Sequence, residues 1–385
     1  MLSGTKNKTI VGLDVEAGSI AATEVRTNGG PQLAGFATAP LEGGVFREGE
    51  VADVAALGDA LKELFSAHKL SKTVRLGIAN QRVAVRTLHL PVIEDKDELE
   101  TAVRFQAQGE LPMPLEQSVL EWQTIGHSVA EDGSQRLDVV VVAARRDMLA
   151  RLLEAISRAG LRPVGIDLSA FGMVRALHRQ THQPVSPADF VTAPTAPSLS
   201  YEERVAMGQV AVGPQPGELD PGPAKLYCNL GDVTNLAVAR GSTCVFTRVS
   251  PFGVEGIAQK LAERRGLTLE HARQWLTHTG LERPVEEIDG DPETVGAARD
   301  ALAEGSARLV DELRLSLEYY GAQEGSLPVD GVVACGPGTL IGGLCDRLQR
   351  DLGQRLELGR PEALSHLSEA EGSRLTLSYG LALEE

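Results

Sequence analysis

The chain opens on three short runs in which apolar and polar residues alternate, Thr9–Val15, Ile20–Thr27 and Gln32–Pro40. The turns between them, at Glu16–Ser19 and Asn28–Pro31, predict a β-meander rather than a strand–helix–strand unit. The period then lengthens: Leu57, Leu61, Leu64 and Phe65 share one face of a helix expected over Val54–Ala67. Strands are expected at Val74–Ala79 and Val83–Leu90. A helix over Asp97–Glu110 halts before Leu111-Pro112-Met113-Pro114, and strands follow at Val119–Ile125 and Leu137–Ala144. The last of these is apolar at every position but Asp138, which suits a buried strand. Met148–Ala159 reads as a helix closed by Gly160, Pro163–Leu168 as a strand and Ser169–Arg179 as a helix.

From residue 181 to 224 the periodicity lapses, and eight prolines fall between His182 and Ala224. This stretch reads as a flexible linker or long surface loop. The opening pattern then returns as Lys225–Leu230, Thr234–Arg240 and Cys244–Ser250, so that TIVGLDVEAGSIAATEV is echoed by AKLYCNLGDVTNLAVAR. An internal duplication is the natural reading. Helices are expected at Val254–Arg265, Leu269–Thr277, Pro292–Ala322, Leu340–Leu352 and Ser373–Ala382, with strands at Gly331–Cys335 and Arg355–Leu358.

Composition narrows the function classes. The 385 residues suffice for two domains, and a formal net charge of −16 disfavours non-specific binding to nucleic acid or anionic lipid. No run approaches the roughly 20 apolar residues of a membrane span, and the first residues lack an apolar signal core. The chain is expected to be cytoplasmic. Its four cysteines, Cys228, Cys244, Cys335 and Cys345, form no CxxC pair and read as reduced, buried thiols.

Two hairpins with small-residue turns, one in each half, suit a grip on phosphates from both sides, because turn N–H groups form anion nests. The first offers Asp14, Gly18 and Ser19. The second offers Asn229, Gly231, Thr234 and Asn235. An acid at a strand end, here Asp14, can hold a hydrated magnesium ion. A third loop, Gly336, Pro337, Gly338 and Thr339, presents bare backbone to a nucleoside.

In their order these motifs resemble the actin-like superfamily, and within it the type IV pilus assembly proteins of the PilM family. GLDVEAGSIAATEV is similar to that family's first phosphate motif, YCNLGDVTNLAVARGSTCVFTRVSPFG to its second, and VVACGPGTLIGGL to its adenosine motif. GIDLSAFGMVRAL resembles the helix connecting the two domains, in which Asp167 would be the N-cap. The segment from Leu90 to Ile125 resembles the subdomain inserted in pilus and cell-division members.

The resemblance implies an α/β, actin-like (RNase H-like) pair of duplicated domains with an inserted α+β subdomain. Residues 1–90 with 145–180 would form the first domain, 91–144 the insert, and 225–385 the second domain. It implies ATP and magnesium as ligands. It also implies an adaptor role beneath the inner membrane, in which the N-terminal tail of a bitopic PilN-like partner docks near Arg104, Phe105 and Leu111.

The chain departs from the family where catalysis is at stake. Glu16 stands where a glycine is usual, Ala21 where a base is frequent, Asn229 where the second strand ends in an acid, and Pro337 among the adenosine glycines. These changes predict weak or degenerate ATP binding and negligible hydrolysis. The alternatives are an FtsA-like cell-division protein, which usually carries an amphipathic C-terminal helix this sequence does not show, and a small-molecule kinase using Asp167.

Overall fold

The computed structural model describes residues 9–27, 30–130, 132–178, 183–184, 223–323 and 325–383. The described chain divides into two compact units, the smaller being residues 82–146. The segment read as a linker falls almost wholly outside the described residues.

The larger unit holds two sheets, each begun by a meander. In the first, β1 (Thr9–Glu16), β2 (Ser19–Arg26) and β3 (Gln32–Pro40) run antiparallel, and β6 (Thr73–Ile78) and β10 (Arg162–Leu168) add on in parallel, giving the order β10-β6-β1-β2-β3. In the second, β12 (Ala224–Leu230), β13 (Thr234–Arg240) and β14 (Thr243–Ser250) form the meander. β15 (Val329–Cys335) and β16 (Leu356–Leu358) join in parallel, and β11 (Gln183–Pro184) closes the edge. A small hairpin, β4 (Phe46–Arg47) with β5 (Glu50–Val51), was not legible from alternation. It turns on Glu48 and Gly49, both at positive φ.

Helix α1 (Val54–His68) begins where the Asp53 carboxylate accepts the Ala56 N–H, and it buries Leu57, Leu61, Leu64 and Phe65 as its spacing requires. α3 (Arg146–Arg158) precedes β10 in the chain. α4 (Ser169–Leu177) is not capped by Asp167. Asp167 lies in β10, accepts the Leu168 N–H and pairs with Arg175, and the N-cap is Leu168 with no side-chain bond. The second half packs α5 (Val254–Arg265), α6 (Leu269–Thr279), α7 (Pro292–Gly321) and α8 (Leu344–Leu352) over Leu226, Cys228, Leu230, Leu236 and Val238. α8 starts later than expected because Leu281 N–H donates to the Gly342 carbonyl, and Gly343 takes φ +75°. α9 (Glu369–Ala382) starts earlier, on a capping box of Ser368 and Glu371.

α9 and α4 cross where a Cβ on Gly380 would overlap the Gly172 carbonyl. α9 also lies directly on β1, since a Cβ on Gly12 would stand 2.6 Å from the Ala382 backbone nitrogen. The strands that carry the two hairpins are thus fixed by one buried helix pair. Cys228, Cys335 and Cys345 are buried as expected, and Cys244 is partly exposed.

The smaller unit is a three-stranded antiparallel sheet, in the order β7 (Val83–Pro91), β9 (Gln135–Arg145), β8 (Ser118–Val129). α2 (Lys96–Glu110) covers one face, burying Leu99, Val103 and Ala107 on Leu88, Leu90, Leu137, Val139 and Val141. Asp95 caps it by accepting the Asp97 and Glu98 N–H groups. Leu111 belongs to this core at 7% exposure, whereas Phe105 is 81% exposed. Among the described residues no helix is long and apolar enough to cross a membrane.

Candidate functional site

The expected site residues gather where the β1–β2 turn meets the β12–β13 turn. Asp14, near the end of β1, is buried and accepts the Ser169 hydroxyl at 3.1 Å. Burial first, and then the Asp232 carboxylate, push it up to about 7. Glu16, two residues on, is held well above the usual carboxylate range by burial, then by Asp232 and Asp14. Asp232, in the second turn, is pushed up to about 6 by burial, against the two backbone N–H groups it accepts.

Those two bonds organise the cleft. Asp232 Oδ2 accepts the Ala17 N–H at 2.7 Å, from the opposite turn, and Oδ1 accepts its neighbour Val233 N–H at 2.7 Å. Asn229 Nδ2 donates to Glu16 Oε1 at 3.4 Å. A Cβ on Gly231 would overlap that same Glu16 oxygen, and a Cβ on Gly18 would overlap the Arg273 guanidinium. The third loop closes on the second: Cβ atoms on Gly336 and Gly338 would overlap Asn229 and stand 2.6 Å from Leu230 Cβ, respectively.

Other expected residues are committed elsewhere. The Thr234 hydroxyl donates to the Phe252 carbonyl and the Thr339 hydroxyl to the Gly336 carbonyl, each at 2.7 Å. Asn235 pairs across the strands with Asn229, and both its amide atoms are buried without a hydrogen-bond partner. Ser19 closes the first hairpin opposite Glu16. Asp167, already paired with Arg175, is not a free base of the kind a kinase needs.

A phosphate chain held between two turns needs open N–H donors and net positive charge. Here the Ala17 N–H is taken by Asp232, Glu16 fills the space beside Gly231, and three carboxylates crowd one place. The nearby guanidinium, Arg273, is bound at 2.8 and 2.5 Å by Glu255 and at 3.1 Å by Glu270. Among the described residues no group of His, Cys, Asp and Glu is arranged to hold a metal ion. In this arrangement the residues do not fit a magnesium–nucleotide phosphate chain.

Residues 12–190 match the family model for the type IV pilus assembly protein PilM. Among solved structures, a PilM-PilN type IV pilus biogenesis complex is similar over 97% of this chain and 97% of that chain, at 26% identity and a TM-score of 0.71. The chain is similar to PilM-family proteins. The ethanolamine utilization protein EutJ from Carboxydothermus hydrogenoformans shares the fold at 13% identity and a TM-score of 0.50, covering 97% of this chain and 89% of that one. The fold is therefore the actin-like one, α/β with duplicated halves and an inserted α+β unit.

Three features of this cleft escaped the sequence. Asp232 lies between the named turn residues Gly231 and Thr234, and nothing in the sequence indicates that it reaches Ala17, 215 residues away. Arg273 sits in an ordinary helical pattern with Glu270, and Glu255 is a first-turn acid of α5. Only tertiary placement brings them to Gly18.

Proposed function

We propose that this chain is a cytoplasmic adaptor of type IV pilus assembly, held beneath the inner membrane by the N-terminal tail of a bitopic partner of the PilN kind. ATP is bound weakly or not at all, and hydrolysis is negligible. The observation that carries the reading is Phe105, a large aromatic 81% exposed on α2 of the inserted unit. An aromatic left in water on a rigid, well-capped helix is the kind of anchor that protein interfaces concentrate their energy on. Beside it, Arg104 is half-exposed and, among the described residues, pairs with Glu100 on its own helix, so its outward face can meet a carboxylate or carbonyl of an incoming peptide. Leu111 has a supporting role, because its side chain is buried under the helix rather than offered outward.

The cleft supports the same reading from the other side, because self-satisfied turns leave little for a phosphate to gain. The test is a calorimetric titration of the purified chain with the N-terminal peptide of the bitopic protein encoded beside it. Phe105→Ala is expected to weaken binding at least ~10-fold while shifting stability by no more than about 0.5 kcal/mol. Unchanged affinity would move the docking site off α2.

A further inference from the structure

We infer that Asp232 and Arg273 form a latch that holds the two halves of the actin-like unit together without nucleotide, Asp232 standing where a ligand anion would otherwise meet the first turn. The inference deepens the adaptor reading by giving the regulation of its cleft, and its biological meaning rests on that reading.

The geometry is reciprocal. From the second half, the Asp232 carboxylate reaches the Ala17 N–H, the donor that a turn nest presents to an anion. Also from the second half, the Arg273 guanidinium presses on Gly18, where any side chain would overlap it. Arg273 is fixed from behind by Glu255 on α5 and Glu270 on α6, so it arrives already oriented. From the first half, Glu16 enters the space left by Gly231 and accepts the Asn229 amide. Each turn carries a glycine where the other half sends in a charged side chain. The interlock therefore depends on shape as well as on charge, and a phosphate that binds the Ala17 N–H must displace Asp232 from it.

The groups facing the latch are Asp14, Glu16 and Cys335 from the strands, Glu255 from α5, and Glu270 with Arg273 from α6. Acids outnumber the guanidinium, and burial holds Asp14, Glu16 and Asp232 above the ordinary carboxylate range.

Hydrogen exchange of the full chain reads the latch directly at the Ala17–Ser19 amides. In the wild type these amides are expected to be protected, and 1 mM magnesium–ATP should leave them unchanged. Asp232→Ala should speed their exchange at least ~10-fold, the scale of losing one buried charge-assisted bond, and magnesium–ATP should then slow it again. Asp232→Asn keeps one acceptor oxygen for the two N–H groups of Ala17 and Val233, so its exchange should fall between wild type and Asp232→Ala.

Equal protection in wild type and Asp232→Ala overturns the latch, as does protection of the wild-type turn by magnesium–ATP. If Asp232→Ala unfolds the chain, seen as lost protection along α7, Arg273→Gln carries the test. It should raise exchange of the same amides at least ~3-fold, and no rise overturns the proposal. Peptide affinity for α2 is measured separately. A protected turn with no peptide binding defeats the adaptor reading alone, and a freely exchanging turn with intact peptide binding defeats the latch alone.

Discussion

The two halves of the actin-like unit build the same meander and then use it differently. Counted along the aligned first strands, Gly12 corresponds to Tyr227, Asp14 to Asn229, Glu16 to Gly231 and Ala17 to Asp232. Each pair differs in the sense the fold needs. Gly12 is bare because α9 lies on β1 there, whereas Tyr227 is a buried ring on β12. Glu16 fills what Gly231 leaves open, and the Asp232 carboxylate binds the backbone of its own counterpart, Ala17. The register differs as well. Asp14 pairs with Ala21 whereas Asn229 pairs with Asn235, and the first hairpin closes at Glu16–Ser19 around two residues, the second at Leu230–Thr234 around three. A duplicated scaffold has diverged into two complementary turns, and the divergence is greatest at the positions that face each other.

Making the halves alike should therefore be costly, most of all at Gly12. Valine there puts its Cβ 2.6 Å from the Ala382 nitrogen and into the Ser378 carbonyl, both backbone atoms of a buried helix that cannot step aside. Gly12→Val is expected to lose more than about 4 kcal/mol. Denaturant unfolding or soluble yield checks it, and a loss under about 1 kcal/mol would show that α9 is free to shift off β1.

Giving the first half the second half's amide should do the opposite. Asp14 keeps its proton up to about 7 when folded, against 3.8 for the ordinary group. Because the folded state binds that proton more tightly, ionising Asp14 costs stability from about pH 4 upward, and the cost is fully present above pH 7. Asp14→Asn removes the cost and can still accept the Ser169 hydroxyl. It is expected to gain on the order of 3 kcal/mol over wild type at pH 8 and almost nothing at pH 4. Melting curves at the two pH values decide it, and a gain independent of pH would remove the buried charge as its cause.

Much of this was legible in the chain. Alternation located the meanders, and the 3.6-residue period located α1, α5 and α7 nearly to their ends, because Asp53, Gly266 and Asp291 punctuate them with ordinary capping chemistry. The echo of TIVGLDV in AKLYCNL exposed the duplication. α8 slipped because a backbone bond from Leu281 to Gly342 overrides local periodicity. The cleft was half legible: the strand-end residues Asp14 and Asn229 and the turn glycines could be named, since strand and turn rules are local. What those glycines face could not. Gly18 reads the same whether it meets a phosphate or the Arg273 guanidinium, and only long-range packing distinguishes the two.

The reciprocal exchange, Asn229→Asp, gives the smallest effect and the sharpest reading of the comparison. Asn229 donates to Glu16 at a long 3.4 Å and accepts the Cys335 thiol at 3.7 Å, so the bonds themselves are weak. What the amide chiefly contributes is the absence of a charge beside three acids. At pH 5 a carboxylic acid at this position is protonated by the same burial that raises its neighbours, and it can donate to Glu16 as the amide does. Stability should then lie within about 0.5 kcal/mol of wild type. At pH 8 the fourth acid must either ionise beside the others or hold its proton against solvent, and a loss on the order of 2 kcal/mol is expected. Melting temperatures across that range measure it. An equal loss at both pH values would mean that Asn229 is kept for its shape against Gly336, and a loss that grows with pH would mean that the second half gave up its strand-end acid so that the two turns could close on each other.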